Sequence, residues 1–163
     1  MKDKERLKFF KQRKIIGIDP GKNGGISVYT CDENRIIESV KMPETMQELY
    51  SMLYSYKYNS VCYLERVQGI PGNGAAGMFN FGRGFGHLEM ALLALKIPYV
   101  EVTPQKWQKA LQLGHKGTKT ATQWKNKLKE RAEQLYPGVK VTLSVADSLL
   151  IVEYGRLTEG SKL

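Results

Sequence analysis

A short apolar run that ends in an acid constrains this chain most. The run IIGI at 15–18 leads directly into Asp19, and Pro20 and Gly21 follow as a turn. Clustered β-branched residues are typical of a central, buried strand. A second apolar run, at 61–64, ends in Glu65 in the same way. The fold must therefore place two carboxylates at the ends of buried strands, where an unpaired charge is costly.

The hydrophobic periodicity predicts an α/β domain. Three strands joined by short turns open the chain and indicate an antiparallel meander. Helices and two further strands then alternate, which favours a three-layer architecture with a mixed five-stranded sheet, three strands antiparallel and then two parallel. Thr45 and Glu48 form a capping box at the start of the first helix. The predicted strands are 14–19, 25–31, 35–42, 60–65 and 98–102, and the predicted helices are 46–57, 77–96, 104–111, 120–136 and about 143–157.

The composition excludes several classes of protein. With 163 residues, 42% hydrophobic and 25% charged, one soluble domain over 14–163 is expected, preceded by a basic arm over 1–13. Apolar runs are too short for a membrane span, and the charged start argues against a signal peptide. Cys31 and Cys62 have no metal-ligand spacing. A cytoplasmic protein without a membrane partner is the expectation.

The charge is uneven along the chain. The net charge is +9, and residues 1–14 hold seven Lys or Arg against two acids. Residues 104–140 hold nine Lys or Arg against two acids. Concentrated positive charge favours a polyanionic partner, because neutralised phosphates release counterions. Solvated, lysine-rich helices are the alternative interpretation of the same pattern.

A third acid, Asp147, lies in the largely apolar stretch 145–151. The ends of Asp19's and Glu65's strands meet at one edge if the strands are parallel neighbours, and the last helix can bring Asp147 to them. Clustered carboxylates repel one another, and a hard divalent cation relieves that repulsion. Taken singly, each acid is more simply a cap or a partner of a backbone group. Taken together, the three favour a metal site.

These motifs resemble the RuvC-type Holliday junction resolvases, which have a ribonuclease H-like fold. IGIDPG at 16–21, followed by GGIS at 24–27, is similar to their opening strand. YLE at 63–65 and ADSLL at 146–150 resemble their second acidic strand and last helix. The order and spacing of the three motifs also fit, so the resemblance spans about 14–157. The loop at 72–85 looks most like phage-type members, and the resemblance implies a bacterial or phage-infected host cell.

The resemblance implies a structure-selective endonuclease. Asp19, Glu65 and Asp147 would bind Mg²⁺, with Mn²⁺ as a substitute and two ions in the site, for phosphodiester hydrolysis. The substrate would be a four-way DNA junction or a related branch such as a fork or flap. A homodimer formed through the 77–96 helix would place two nicks symmetrically.

One position departs from the family pattern. Many members have a fourth acid, or a His, three residues before the Asp of the last helix, where this chain has Ser144. A hydroxyl is a poorer ligand for a hard cation, so a weaker or water-mediated metal site is expected. Glu153 lies about 120° around the helix from Asp147 and is not expected to replace the missing ligand.

The resemblance also assigns candidate DNA contacts. Phe79 and Phe81, beside Arg83, can stack on unpaired bases at a junction centre, or belong to the core of a helix start. Lysines in and near the basic segment are expected on the DNA backbone, namely Lys116, Lys119 and Lys140. Trp107 and Trp124 fit core positions better than stacking positions.

Two other functions remain open at this stage. A ribonuclease H-like nuclease for RNA–DNA hybrid would use the same acids but would read shape and 2′-hydroxyl groups. A non-catalytic module would bind junctions without cutting, with Ser144 marking a weakened metal site.

Overall fold

The computed structural model describes residues 12–66 and 74–161, in which five strands form one mixed sheet. Strand order across the sheet is β3-β2-β1-β4-β5. The β1/β2 and β2/β3 pairs are antiparallel, and the β1/β4 and β4/β5 pairs are parallel. The predicted sheet is thereby confirmed. The strands are β1 (Lys14–Asp19), β2 (Gly25–Thr30), β3 (Arg35–Lys41), β4 (Ser60–Glu65) and β5 (Tyr99–Val102).

Five helices in the described residues cover the two faces of the sheet. Leu49 and Leu53 of α1 and Leu88 and Leu92 of α2 pack on one face. Helices α3, α4 and α5 pack on the other face, around the fully buried Trp107. None of the helices in this part of the chain has the length and apolar character needed to cross a bilayer. The helices are α1 (Met46–Ser55), α2 (Gly74–Ala94), α3 (Pro104–Ala110), α4 (Ala121–Leu135) and α5 (Ala146–Gly160).

The pleat of the strands directs both strand acids to one face. Successive side chains of a strand point to opposite faces. Ile16 and Ile18 lie in the core under α1 and α2, whereas Ile15 lies in the core under α5. Asp19 follows the period of Ile15 and therefore faces α5. The same alternation in β4 puts Glu65 on the α5 face with Tyr63.

Close approach of α5 to the sheet depends on glycine. A Cβ at Gly17 would lie 2.4 Å from the Ser148 carbonyl oxygen, and one at Gly155 would lie 2.7 Å from the Tyr63 ring. Because both positions lack a side chain, the helix can pack directly on β1 and β4. This packing brings the first turn of α5, with Asp147, to the strand ends.

Three predicted helix boundaries were wrong by three residues. Helix α2 begins at Gly74 rather than 77, and Gly74 has a φ of 66°, a left-handed conformation that favours glycine. Helix α5 begins at Ala146 rather than 143, because the Thr142 carbonyl accepts from the amides of Val145 and Ala146 and closes a turn there. Helix α5 also ends at Gly160 rather than 157, and the other boundaries differ by at most two residues.

Parts of two predicted segments lie outside the described residues. These parts are 1–11 of the basic arm and 72–73 of the loop at 72–85. The last two residues of the arm are described and contact the sheet domain. Gln12 donates to Glu33 at 2.8 Å, and Arg13 pairs with Glu159.

Candidate active site

The three predicted acids lie at one edge of the sheet. Asp19 ends β1 and Glu65 ends β4, and these parallel strands pair in register up to Ile18 and Leu64. Asp147 is in the first turn of α5. All three side chains are buried, since the residues are only 8%, 7% and 5% exposed respectively. Buried carboxylates this close must be protonated, paired or bound to a cation.

The two strand acids interact with each other through a side-chain hydrogen bond between Asp19 and Glu65. Burial, with the neighbouring charges of Asp147 and Glu65, raises the pKa of Asp19 to about 8. Burial also raises the pKa of Glu65, although hydrogen bonds from Trp107 and Asp19 work against it. Asp19 is therefore the acid that holds a proton near neutral pH in the metal-free protein.

Trp107 is the first neighbour of the cluster that the sequence did not reveal. Its burial was predicted and is confirmed, since it is fully buried in α3. Its indole Nε1 also donates to Glu65 Oε1 at 2.9 Å, which fixes that carboxylate from the side of α3. The two residues are 42 positions apart, so no local sequence pattern announces the contact.

Lys125 is the second such neighbour. It lies on α4, and its Nζ donates to Asp147 Oδ2 in an ion pair. Although burial works in the opposite direction, the Asp147 carboxylate raises the pKa of Lys125. The other oxygen of Asp147, Oδ1, is buried and has no hydrogen-bond partner among the described residues. The cluster thus contains both a bound cation, the ammonium, and an unsatisfied oxygen.

The donor chemistry fits a hard divalent cation. Three carboxylates supply oxygen ligands, and a buried oxygen of Asp147 has no other partner in the described chain. In the arrangement observed, no three Asp, Glu, His or Cys side chains within 12–66 and 74–161 are placed to share one ion. The acids are instead balanced by the proton on Asp19 and by Lys125. An incoming cation must therefore displace these two partners.

The structure describes both residues that were considered for the fourth ligand position, Ser144 and Glu153. Ser144 is half-buried in the turn before α5, and its carbonyl oxygen lies where a Cβ at Gly25 would approach to 2.6 Å. Glu153 is held elsewhere: it accepts from Tyr136 at 2.9 Å and from Arg156 at 2.7 and 2.8 Å. Its carboxylate is already satisfied there.

The candidate DNA contacts differ in exposure. Phe79 is 67% exposed on α2, and Arg83 is exposed one turn later. Phe81 is half-buried, with its ring against Gly21 in the turn that follows Asp19. Lys116, Lys119 and Lys140 are exposed side chains outside the helices.

Comparison with known proteins supports the fold. The sequence matches no known protein-family model, and it shows no match to a curated protein. The structure of RuvC from Thermus thermophilus superposes with a TM-score of 0.61 at 18% identity, over 91% of this chain and 96% of that chain. T. thermophilus RuvC in complex with a Holliday junction substrate superposes with a TM-score of 0.63 at 15% identity, over 92% and 96%. The chain thus has the RuvC-like, ribonuclease H-like fold, as predicted.

Proposed function

We propose that this protein is an endonuclease that resolves four-way and related branched DNA junctions by metal-dependent phosphodiester hydrolysis. One observation carries the proposal. Three buried carboxylates from β1, β4 and α5 meet at one sheet edge of a RuvC-like fold, with more negative charge than their surroundings neutralise. A purely structural cluster would pair each acid, as the chain does elsewhere for Glu153.

Each of the three acids would have its own part in holding Mg²⁺ or Mn²⁺. Asp19 would be the central ligand, and Glu65 and Asp147 would each supply a further carboxylate. Bound there, the ions would supply an activated water and stabilise the leaving oxygen. Trp107 orients Glu65 through its indole N–H. Asp19 must lose its proton before it can act as a ligand.

Positive charge and exposed aromatic groups support a DNA substrate. The net charge is +9, and Lys116, Lys119 and Lys140 are exposed near the ends of helices. We assign these lysines to backbone phosphates, because phosphate contacts position a nucleic acid without reading its sequence. Phe79 and Phe81, with Arg83, lie on the first turns of α2 and are assigned to unpaired bases at the branch.

An exposed apolar face on α2 supports a homodimer. Phe79, Met90 and Leu93 are 60 to 67% exposed and lie on the helix face that also carries Gly82 and Gly86. Large exposed apolar patches mark interfaces, and a two-fold dimer would match two symmetric nicks. Leu93→Glu should yield a monomer by sedimentation. Leu157→Glu, at an exposed leucine of α5, should leave the dimer intact.

The deciding experiment uses a labelled synthetic four-way junction with Mg²⁺ or Mn²⁺. The wild-type protein and Asp32→Asn, at an exposed acid, should give paired, symmetric nicks. Asp19→Asn should bind the junction without cutting it. Binding without cutting by the wild type in either metal would support the non-catalytic module instead. Failure to bind, with cleavage of an RNA–DNA hybrid, would overturn the junction substrate.

A further inference from the structure

A lysine already forms an ion pair with one of the three clustered acids. The Nζ of Lys125 lies on Oδ2 of Asp147, and its charge also acts on Asp19 and Glu65. An ammonium and a divalent cation compete for the same carboxylate oxygens. They also repel each other at contact distance, where Coulomb energies are strongest.

We propose that Lys125 is a positioning residue that serves as an internal counter-ion: it holds Asp147 in the metal-free protein and must leave when a divalent cation binds. The inference rests on the proposed function, because it concerns the same three acids. It adds a residue to the site whose removal should tighten metal binding, whereas removal of a ligand should weaken it.

The placement of Lys125 allows such an exchange. Its neighbours on α4, Trp124 and Leu128, are buried and anchor the helix in the core. The Lys125 side chain itself is 44% exposed, whereas that of Asp147 is 7% exposed. The lysine therefore reaches the acid from the solvent side. Its ammonium can swing into water without moving α4 or opening the core.

The state of Asp147 also favours an exchange over a permanent ion pair. A buried carboxylate with a purely structural role has hydrogen-bond partners on both oxygens. Lys125 donates only to Oδ2 of Asp147, and Oδ1 has no partner among the described residues. An unsatisfied buried oxygen favours a ligand that can also reach it. A divalent cation has several ligand positions and can bind this oxygen, whereas the Lys125 ammonium on Oδ2 leaves it without a partner.

Lys129 offers a matched control on the same helix. It lies one turn after Lys125, and it also forms an ion pair, with Glu133 at 2.6 Å. Glu133 is an exposed surface acid rather than a member of the cluster. Replacing either lysine with Met removes one charge and one ion pair from α4, so the two variants differ only in which acid is released.

Mn²⁺ binding to the DNA-free protein tests the inference. Free Mn²⁺ is measured by electron paramagnetic resonance in a titration of wild type, Lys125→Met, Lys125→Arg and Lys129→Met at one pH. Lys125→Met should bind Mn²⁺ about 10-fold more tightly, equivalent to about 1.4 kcal/mol. The other two variants should match the wild type. In EDTA, Lys125→Met should also melt about 3 °C lower, since it leaves Asp147 uncompensated.

Each outcome decides the inference. Equal or weaker Mn²⁺ binding by Lys125→Met, in a protein that melts cooperatively, overturns the counter-ion role and leaves the proposed function standing. The same tightening in Lys129→Met would also overturn it, since the effect would then be general charge. If neither the wild type nor Lys125→Met binds Mn²⁺, the inference and the metal-dependent function fail together.

Discussion

Two buried carboxylates on the last helix have opposite surroundings. Asp147 and Glu153 lie six residues apart on α5, and each is about 5% exposed. Glu153 accepts three hydrogen bonds, one from Tyr136 and two from Arg156. Asp147 faces two further acids and has one oxygen without a partner in the described chain.

The hydrogen-bond partners distinguish Glu153, whose charge the fold stabilises, from the acids of the cluster, whose charges repel one another. Although burial opposes it, hydrogen bonds from Arg156 and Tyr136 lower the pKa of Glu153. Its charged form is thus stabilised by the fold. At the sheet edge beside Asp147, burial and the neighbouring charges of Asp147 and Glu65 raise the pKa of Asp19 to about 8. Burial alone therefore does not distinguish these acids, whereas the balance of their partners does.

The largest expected effect is on cleavage. Asp147→Asn removes a proposed metal ligand and should slow junction cleavage at least about 1000-fold, equivalent to about 4 kcal/mol of transition-state stabilisation. Glu153→Gln should cut at close to the wild-type rate. Single-turnover cleavage at saturating Mg²⁺ measures both. Loss of cleavage in a folded Glu153→Gln protein would contradict the division of roles.

The free energy of unfolding should change more in Glu153→Gln than in Asp147→Asn, the reverse of the order for cleavage. Glu153→Gln leaves Arg156 and Tyr136 with a weaker acceptor and should lower the free energy of unfolding by about 2 kcal/mol. Asp147→Asn in EDTA should lose less than about 0.5 kcal/mol, because it removes charge repulsion as well as an ion pair. Urea unfolding of metal-free protein measures both variants. A larger loss for Asp147→Asn would show that its pair with Lys125 is chiefly structural.

Asp19, beside Asp147, and Glu153 should give opposite pH dependences. The raised pKa of Asp19 means that the unfolded chain releases its proton first, so this stabilisation is full below about pH 4 and lost as the pH rises to about 8. The slope reaches at most about 1.4 kcal/mol per pH unit. The lowered pKa of Glu153 gives stabilisation above about pH 4.5 that is lost in more acid solution.

The difference in unfolding free energy between wild type and each variant, plotted against pH, isolates the contributions of Asp19 and Glu153. Unfolding is measured in EDTA from pH 3 to 9 for wild type, Asp19→Asn and Glu153→Gln. The stability of wild type relative to Asp19→Asn should fall between pH 4 and 8. Relative to Glu153→Gln, it should fall below pH 4.5. Parallel curves for wild type and Asp19→Asn would mean that Asp19 does not hold the proton.

The sequence predicted the acids but not their partners. Asp19 and Glu65 are visible because each ends an apolar run, and the period of two along a strand fixes the face of the sheet to which they point. Asp147 is visible as an acid within an apolar helix. The contacts of Trp107 and Lys125 cross 42 and 22 positions and depend on how α3 and α4 dock. No local pattern encodes that docking.

The predicted start of α5 was wrong for a related reason. The start of α5 is set by the Thr142 carbonyl, and Val145, at the N-cap, makes no side-chain cap hydrogen bond. A sequence rule that looks for a capping side chain therefore has no signal at this start. Where such a residue exists, as with Thr45 and Glu48 at α1, the predicted start is confirmed.

An exposed carboxylate gives the smallest effect and completes the comparison. Glu133 pairs with Lys129 on the surface of α4, with both side chains partly exposed. Solvent screens such pairs, and a Lys placed before its Glu is the weaker orientation at this spacing. Glu133→Gln should therefore change the free energy of unfolding by less than about 0.5 kcal/mol and leave cleavage and Mn²⁺ binding unchanged. Raising the salt concentration should erase even this difference, because screening shortens the reach of exposed charges. Glu133→Gln could instead lower the free energy of unfolding as much as Glu153→Gln does. The hydrogen-bond partners of an acid would then not predict its contribution to stability, and the contrast between Glu153 and Asp147 would no longer support a metal-binding role for Asp147.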